Sequence, residues 1–338
     1  MIFCWLLIFV LCISLVLTWA LRHYALNASI MDVPNERSSH TVPTPRGGGV
    51  AIVISFIAVL PILVRFDSLT LSEAAAVGGA GLLVAILGFA DDHGHIAARW
   101  RLLGHFIAAA WVLFWLNGLA PILFFSQVLD MGWAGPALGA MYLVWVLNLY
   151  NFMDGIDGLA SIEAICACLG MCVIYYVAGT PELVGAPLLL AAAAMGFLFW
   201  NFPPAKIFMG DAGSGFLGIA IGGLSLVSAW HSPHFLWCWL ILLGVFVVDA
   251  TFTLMRRITR GEKIYQAHCS HAYQNASRYF KSHRFVTLAV FAINILWLLP
   301  IAVLVAVNAL EGVVGILLAY FPIAVLAWRF EAGAASHQ

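Results

Sequence analysis

Hydrophobic positions fill this chain in long continuous runs, and polar positions are gathered in the linkers between them. A helix needs about 20 mostly apolar residues to cross a bilayer. Eleven runs approach or reach that length, at about 2–21, 47–65, 71–90, 103–120, 133–150, 159–178, 184–200, 215–230, 235–255, 285–306 and 310–328. The pattern therefore predicts an all-α polytopic membrane protein, with one membrane domain over residues 1–338 and about eleven transmembrane helices.

Composition supports this class and excludes a soluble globular protein. Hydrophobic residues make up 63% of the chain, charged residues only 9%, and the mean hydropathy is +1.00. The formal net charge of −1 does not indicate a charged partner, and we expect no nucleic-acid partner. The first run has no basic residues before it and no clear cleavage site, so we expect a retained helix. The cysteines lie mostly inside the runs, which argues against a disulfide framework.

The basic residues are distributed very unevenly between the two sides of the membrane. If the linkers alternate sides, one face receives the C-terminal tail and the linkers 22–46, 91–102, 151–158, 201–214 and 256–284. This face carries 14 of the 15 Lys and Arg residues, and only Arg65 lies opposite. Because basic linkers stay on the cytoplasmic side, we expect a periplasmic N-terminus, a cytoplasmic C-terminus and an active site built from cytoplasmic loops.

Four polar side chains recur at steps of three from the end of the fifth run: Asn148, Asn151, Asp154 and Asp157. Such steps keep the asparagines on one face of a helix, and the glycine after each aspartate weakens the helix. We therefore expect the helix to end here and a bent loop to turn the aspartates back toward the asparagines. No Lys or Arg lies in 102–205, so a divalent cation is the simplest partner. The alternative is an ordinary polar loop that caps a membrane helix.

Two further linkers place carboxylates at predicted helix ends. Asp91 and Asp92 directly follow an apolar run, where neighbouring carboxylates raise each other's proton affinity and oppose the helix macrodipole. These two unfavourable placements favour a functional role over a solvated turn. Asp211 precedes a Gly/Ser turn into the next helix, and the free N–H groups of such a helix start suit a pyrophosphate.

Basic residues near these acids offer partners for phosphate. Arg46 precedes three glycines at 47–49, which let the backbone approach another backbone or a ligand. Arg99 and Arg101 follow the paired aspartates and can bind either phosphate or anionic lipid headgroups.

The last basic linker, 256–284, contains Lys263, His268 and His271. No second ligand pair at suitable spacing follows the histidines, which disfavours zinc. Histidine and lysine beside a carboxylate cluster serve better as donors to phosphate oxygens. A charge cluster that orients the protein at the membrane explains the arginines of this linker but not its paired histidines.

Taken in order, these motifs resemble a known family. The resemblance is carried by Asp91-Asp92, Asn148-x-x-Asn151-x-x-Asp154-Gly-x-Asp157-Gly, Met209-Gly-Asp211-x-Gly-Ser214 and His268-x-x-His271. This set, from about residue 30 to 275, resembles the polyprenyl-phosphate N-acetylhexosamine-1-phosphate transferases. The chain looks closest to the WecA/WbpL-type enzymes, which start O-antigen or related surface glycans. It is less like the MraY type, which carries consecutive histidines in the last motif.

The resemblance implies an enzyme of the phosphotransferase type. Polyprenyl phosphate, undecaprenyl phosphate in bacteria, would attack the β-phosphorus of a UDP-sugar and release UMP. By resemblance, Asn151 and Asp211 would hold Mg²⁺, with Mn²⁺ as a substitute, and Asp91 and Asp92 would position or deprotonate the lipid phosphate. The resemblance leaves open whether attack is direct or passes through a phospho-aspartyl enzyme. It also leaves open whether the sugar is GlcNAc, QuiNAc or FucNAc.

Nine further residues receive substrate-binding roles by resemblance and by their chemistry. They are Asn148, Asp154, Asp157, Lys263, His268, His271, Arg46, Arg99 and Arg101. Family members commonly carry a lysine shortly after the paired aspartates, where this chain has His95 with two arginines beyond it. The expected location is the bacterial inner membrane, and a homodimer and downstream glycosyltransferases are compatible partners.

Two other classes of function compete with the transferase. A polytopic transporter or lipid flippase is the main alternative, but transport sites tend to lie near the bilayer midplane and to be reached from both sides. Here the acids cluster on one face and the opposite face is nearly bare. A non-catalytic scaffold would not need the acid cluster.

Overall fold

The computed structural model describes residues 2–34, 42–94, 96–125, 127–262 and 268–334. The helices, numbered in chain order, are α1 Ile2–Asn27, α2 Val50–Arg65, α3 Leu71–His93, α4 Ala98–Trp115, α5 Gly135–Met153, α6 Leu159–Val177, α7 Gly185–Asn201, α8 Asp211–His231, α9 Pro233–Leu242, α10 Gly244–Thr259, α11 Ala272–Phe280, α12 His283–Ile293, α13 Leu299–Ala306 and α14 Gly312–Arg329. A π-helical turn joins α12 to α13, and short 3₁₀ turns precede α5 and α7. The strands form two antiparallel pairs, β1 Met31–Asp32 with β2 Thr44–Pro45 and β3 Ile122–Phe124 with β4 Gln127–Leu129.

The helices confirm an all-α polytopic membrane protein. In the described ranges, seven helices are long and apolar enough to cross a bilayer by length and composition, and an eighth span results if the bent pair α9 and α10 counts as one. Each of the eleven predicted runs forms a helix or a helix pair. The number of eleven crossings and their orientation stay predictions, because helix length and composition do not place the membrane.

Helix α8 lies at the centre of the bundle. Its apolar window is 100% buried, and α3 and α5 both pack along it. Small residues allow this close packing: a Cβ added to Gly218 would lie 2.6 Å from the Cα of Leu147 on α5. In a membrane, where lipid is as apolar as a leucine side chain, such close backbone packing drives helices together.

A glycine also allows the acidic end of α3 to pack closely against the start of α8. A Cβ added to Gly88 would lie 2.5 Å from the backbone atoms of Asp211 and Ala212. The predicted close approach of the glycines at 47–49 is also present. The N–H groups of Gly48 and Gly49 donate to the carbonyl oxygens just before α8, each at 2.9 Å.

The structure differs from the sequence prediction in two places. The predicted run 235–255 is broken, since α9 and α10 meet at an angle of 71° at Leu243, just before the weak helix former Gly244. In addition, α11 lies within the linker 256–284, for which no helix was predicted. Only one side of this short polar helix is buried, so the sequence has no long apolar run at this position from which to predict a helix.

Replacement of Gly88 by alanine should destabilise the protein. The added methyl group must push α3 away from the backbone of Asp211, and forced overpacking of this kind costs about 1–3 kcal/mol. Thermal unfolding of the purified variant in detergent should show a clear fall in Tm. Gly94→Ala is the matched control, because its added Cβ would come no closer than 3.9 Å to Ala90. Equal Tm values for the two variants would contradict the tight contact.

Candidate active site

Three helices bring their polar ends together at one end of the bundle. Asp91 and Asp92 lie in the last turn of α3, Asn151 in the last turn of α5, and Asp211 is the first residue of α8. The side chain of Asn151 donates to Asp211 Oδ1 at 2.8 Å, and the amide of Asp211 donates to Asp92 Oδ1 at 3.3 Å. The polar groups of three separate linkers therefore share one site.

Two arginines pair with this carboxylate cluster. Arg101 on α4 donates to Asp91 Oδ2 at 2.6 Å and to Asp211 Oδ2 at 3.2 Å, so it bridges two helices. Arg46 donates to the backbone carbonyl of Asp92, and its Nε lies 3.9 Å from Asp92 Oδ1. The side chains of both arginines are 35% exposed, so they remain able to reach a ligand.

The paired aspartates occupy different environments. Asp92 is 8% exposed, receives the first amides of α8, and keeps a buried Oδ2 without a hydrogen-bond partner in the described chain. Asp91 is less buried, accepts from the amide of Ile96 at 2.7 Å, and faces Arg101 and Asp211. Asp92 therefore anchors the start of α8, whereas Asp91 contacts Arg101 and Asp211.

The cluster carries more negative than positive charge. Asp154 directly follows α5. Burial, together with the charges of Asp211, Asp92 and Asp157, raises its pKa well above the usual value. The same cluster also contains possible metal ligands, because carboxylate and amide oxygens are the ligands that Mg²⁺ prefers. Among the described residues, no group of three or more His, Cys, Asp or Glu side chains could hold a metal alone. This donor set instead fits an ion that shares its coordination with substrate phosphates, as Mg²⁺ commonly does.

Asp157 acts as a brace between loops. Its Oδ2 accepts from the amide of Ala205 at 3.0 Å, and its Oδ1 lies 3.3 Å from His283 Nδ1. Its backbone carbonyl accepts from Thr287 Oγ1 at 2.9 Å. The carboxylate of Asp157 is therefore engaged with the protein, although its charge is felt at Asp154.

Two histidines close one side of the site. His271 Nδ1 lies 3.1 Å from Asp249 Oδ1, and Asp249 also accepts from the amides of Ala272 and Tyr273 at 2.9 Å each. Asp249 on α10 thus holds the start of α11 and orients His271. His268 stacks on His271, with ring centroids 4.8 Å apart. Burial, together with the neighbouring His271 and Arg257, lowers the pKa of His268 to about 3.

A cavity of about 730 Å³ extends from these groups between α3, α4, α5 and α8. Its polar side chains are Arg101, His105, Asn148, Asn151, Asp211, His268 and His271. The remaining walls are mostly apolar, including Val84, Leu102, Phe106, Met141 and Val144. Met141 is 63% exposed and Phe106 40% exposed, so the apolar arm of this cleft reaches the outer surface of the bundle.

One predicted site residue, Arg99, is not brought to the cluster. Arg99 is exposed and its guanidinium lies 5.6 Å from the centroid of the Trp100 ring. Residues two apart on a helix point about 200° apart, so Arg99 turns away from the side that Arg101 faces. Lys263 and His95 lie outside the described residues.

Other residues joined the site without a clear signal in the sequence. His105 lines the cleft one turn after Arg101, and Asp249 orients His271. Each is an isolated polar residue inside an apolar run. This pattern indicates that the residue could be functional, but it does not predict which role the residue has. The carboxylate of Asp249 accepts its hydrogen bonds within the bundle, from His271, Ala272 and Tyr273.

Together, the fold and the cleft define a multi-pass membrane protein with a polar site, suited to phosphate groups, at the end of an apolar cleft. The model of glycosyl transferase family 4 matches residues 74–229. A probable undecaprenyl-phosphate N-acetylglucosaminyl 1-phosphate transferase of Bacillus subtilis is 30% identical over 296 residues, covering 86% of this chain and 81% of the relative. The chain belongs to this family, which confirms the resemblance to the polyprenyl-phosphate N-acetylhexosamine-1-phosphate transferases.

Further relatives carry related names. A decaprenyl-phosphate N-acetylglucosaminephosphotransferase of Mycobacterium tuberculosis is 27% identical over 315 residues, covering 81% of this chain and 75% of the relative. A phospho-N-acetylmuramoyl-pentapeptide-transferase of Moorella thermoacetica is 33% identical over 199 residues, covering 55% of this chain and 61% of the relative.

Acidification should destabilise the folded protein through His268. The pKa of His268 is about 3 in the folded protein, below its ordinary value of 6.5. Between pH 3 and pH 6.5, this histidine therefore binds a proton more readily in the unfolded chain than in the folded protein. Stability from this group is complete above pH 6.5 and is lost as the pH falls toward 3. The loss should be on the order of 1–2 kcal/mol, because the ring is partly exposed and screened.

The measurement is Tm in detergent across that pH range for the wild type and His268→Asn. The variant should lose less stability than the wild type on acidification. His23→Asn, at an exposed position on α1, should follow the wild type. A His268→Asn curve parallel to the wild type would contradict the lowered pKa.

Proposed function

We propose that the protein transfers an N-acetylhexosamine 1-phosphate from a UDP-sugar to polyprenyl phosphate, releasing UMP. The observation that carries this proposal is the two-part cleft. Its polar end gathers Arg101, Asn151 and Asp211, and Arg101 also binds Asp91. Its apolar arm reaches the outer surface of the bundle. A lipid with a phosphate head and a long apolar chain matches both parts. The names of the Bacillus and Mycobacterium relatives, which specify polyprenyl phosphates, support the same substrate.

The reaction requires alignment of two phosphate groups more than covalent help from the protein. An oxygen of the lipid phosphate bonds to the β-phosphorus of the UDP-sugar, and the bond from that phosphorus to the bridging oxygen breaks. UMP leaves with the electron pair. Arg101, which spans Asp91 and Asp211, is placed to bind phosphate oxygens, and Asp91 lies beside it to position the lipid phosphate. That phosphate is already largely ionised at neutral pH, so positioning matters more than deprotonation.

Asp211 and Asn151 would hold Mg²⁺, or Mn²⁺ in its place. The unpartnered Oδ2 of Asp92 lies against Gly210, directly before Asp211. When bound, the ion supplies positive charge to the diphosphate oxygens. Asp92 itself, held by Arg46 and by the amides of α8, keeps Asp211 in place. These roles assign the paired aspartates different tasks in one site.

The remaining site residues would bind the sugar nucleotide and the diphosphate. Asn148, His268 and His271 line the cleft. We expect the two histidines to form hydrogen bonds with the diphosphate. Asp154 would contribute to the nucleotide site, and Asp157 would act on it by holding the loop.

The biological setting follows from the reaction. The product, a polyprenyl-diphospho-sugar, would start O-antigen, lipopolysaccharide or a related surface glycan at the bacterial inner membrane. Close kinship to the WecA/WbpL-type enzymes, a homodimer and downstream glycosyltransferases as partners belong to the same proposal.

A transporter or flippase is the alternative, and the broken pair α9 and α10 is the feature that favours it. However, the ionisable residue of α10 is Asp249, whose oxygens already accept hydrogen bonds from the start of α11. The acids that face the cleft lie at one end of the bundle instead. This arrangement favours chemistry at the membrane surface over alternating access.

The first test is UMP release by the purified protein in detergent. The mixture contains undecaprenyl phosphate, Mg²⁺ and one of a panel of UDP-N-acetylhexosamines. We expect lipid-dependent UMP release with at least one sugar. EDTA and Asp211→Ala should each reduce the rate by about 100-fold or more, because both remove charge stabilisation from the diphosphate. Absence of UMP from a folded, lipid-supplied protein with every sugar would contradict the proposal and lead to a transport assay.

A second test uses two arginines two residues apart on α4. Arg101→Gln should lower kcat/KM by about 100-fold, since it removes the cation that pairs with Asp91 and Asp211. Arg99→Gln should stay within about threefold of wild type, because Arg99 lies over Trp100 outside the cleft. Equal losses in both variants would indicate a general surface-charge effect at the membrane instead.

A further inference from the structure

One polar pair lies in the cleft between its charged end and its apolar arm. His105 on α4 and Asn148 on α5 both line the cleft, and Asn148 Nδ2 lies 3.5 Å from His105 Nδ1. The neighbours of His105 along the cleft, Leu102 and Phe106, are apolar. A polar ring in such surroundings is costly unless it is bonded, so the contacts of His105 require an explanation.

The hydrogen bonds of Asn148 define which nitrogen of His105 carries the proton. Asn148 Nδ2 donates one hydrogen to the carbonyl oxygen of Val144 at 2.7 Å and directs the other toward His105 Nδ1. This contact favours Nδ1 as the acceptor, and so the neutral ring with its hydrogen on Nε2. Within the described ranges, the contact with Asn148 is the hydrogen bond found for this ring. The pair thus presents one N–H donor to the cleft.

The position of this donor relative to Arg101 identifies its ligand. His105 lies four residues after Arg101, so both side chains share one face of α4 with about 6 Å between them along the axis. One phosphate group can bridge that distance between an arginine and an imidazole. His105 is on the side of the apolar arm, and a sugar nucleotide, which has no apolar chain, would not occupy that arm.

We propose that His105 is a positioning residue for the lipid substrate, and that its Nε2–H donates to a phosphate oxygen of polyprenyl phosphate where the headgroup joins the chain. This inference rests on the proposed function. Arg101 binds the same phosphate from the polar end, and Asn148 keeps the ring of His105 in the donating tautomer. The lipid phosphate is thereby held at a set depth in the cleft.

The test compares His105→Leu, His105→Gln and His105→Asn in the purified full chain. UMP release is measured while polyprenyl phosphate and UDP-sugar are varied in turn. His105→Leu should raise the KM for the lipid roughly tenfold, the effect of one lost hydrogen bond to a charged group, and leave the KM for UDP-sugar within about twofold. Glutamine places an amide nitrogen near the Nε2 position and should rescue the KM. Asparagine, which reaches only the Nδ1 position, should not.

A second measurement does not depend on turnover. Without UDP-sugar, the rise in Tm caused by a short-chain polyprenyl phosphate is compared with that caused by the matching polyprenol. Wild type and His105→Gln should respond more strongly to the phosphate than to the alcohol. His105→Leu should respond more equally to both. His23→Leu, at an exposed site on α1, is the control and should behave as wild type.

The outcomes separate this inference from the proposed reaction. Equal rises in both KM values, no rise in the lipid KM, or an undiminished response of His105→Leu to the phosphate would overturn the role of His105. If the leucine variant does not fold, the contrast between glutamine and asparagine decides alone. The wild type could show a phosphate-specific rise in Tm that His105→Leu lacks, and yet release no UMP. That result would overturn the proposed reaction but support the contact between His105 and the lipid phosphate.

Discussion

The carboxylate of Asp92 at the start of α8 is the contact on which the rest of the site depends. A buried carboxylate is stabilised at a helix N-terminus by unpaired N–H groups and by the helix dipole, and here Arg46 adds a positive charge. Gly88 makes the contact sterically feasible, because a side chain there would collide with the backbone of Asp211. The end of α3 and the start of α8 therefore place Asp91 and Asp211 side by side.

Acidic residues in the motifs divide into two groups according to what they contact. Asp157 and Asp249 accept hydrogen bonds from backbone amides and histidines of neighbouring segments, so they hold the loop after α5 and the start of α11. Asp91 and Asp211 instead share Arg101, whose side chain is 35% exposed. The first group makes the site rigid, and the second leaves charge available to a ligand. Rigid positioning suits phosphoryl transfer, where alignment and electrostatics dominate.

The cleft links this charged end to the membrane. Its apolar arm reaches exposed hydrophobic side chains on the outer surface of the bundle, where a membrane protein contacts the lipid chains of the bilayer. A phosphate headgroup would therefore meet charge only at the end of the cleft, next to Arg101. The pair formed by His105 and Asn148 lies between the charged end of the cleft and its apolar arm.

The sequence alone determined the class of protein, the helical segments and most of the chemistry, because apolar runs must become helices in lipid and isolated acids between them need partners. It also indicated the end of α5 at Asp154, since glycine after each aspartate weakens a helix. Only the tertiary structure decided which acids face a ligand. Asp154 and Asp157 look equivalent in sequence, yet Asp157 braces Ala205 and His283. The 71° bend at Leu243 and the contact between His105 and Asn148 are likewise absent from the pattern of hydrophobic residues, which does not encode angles between helices or contacts from one helix to another.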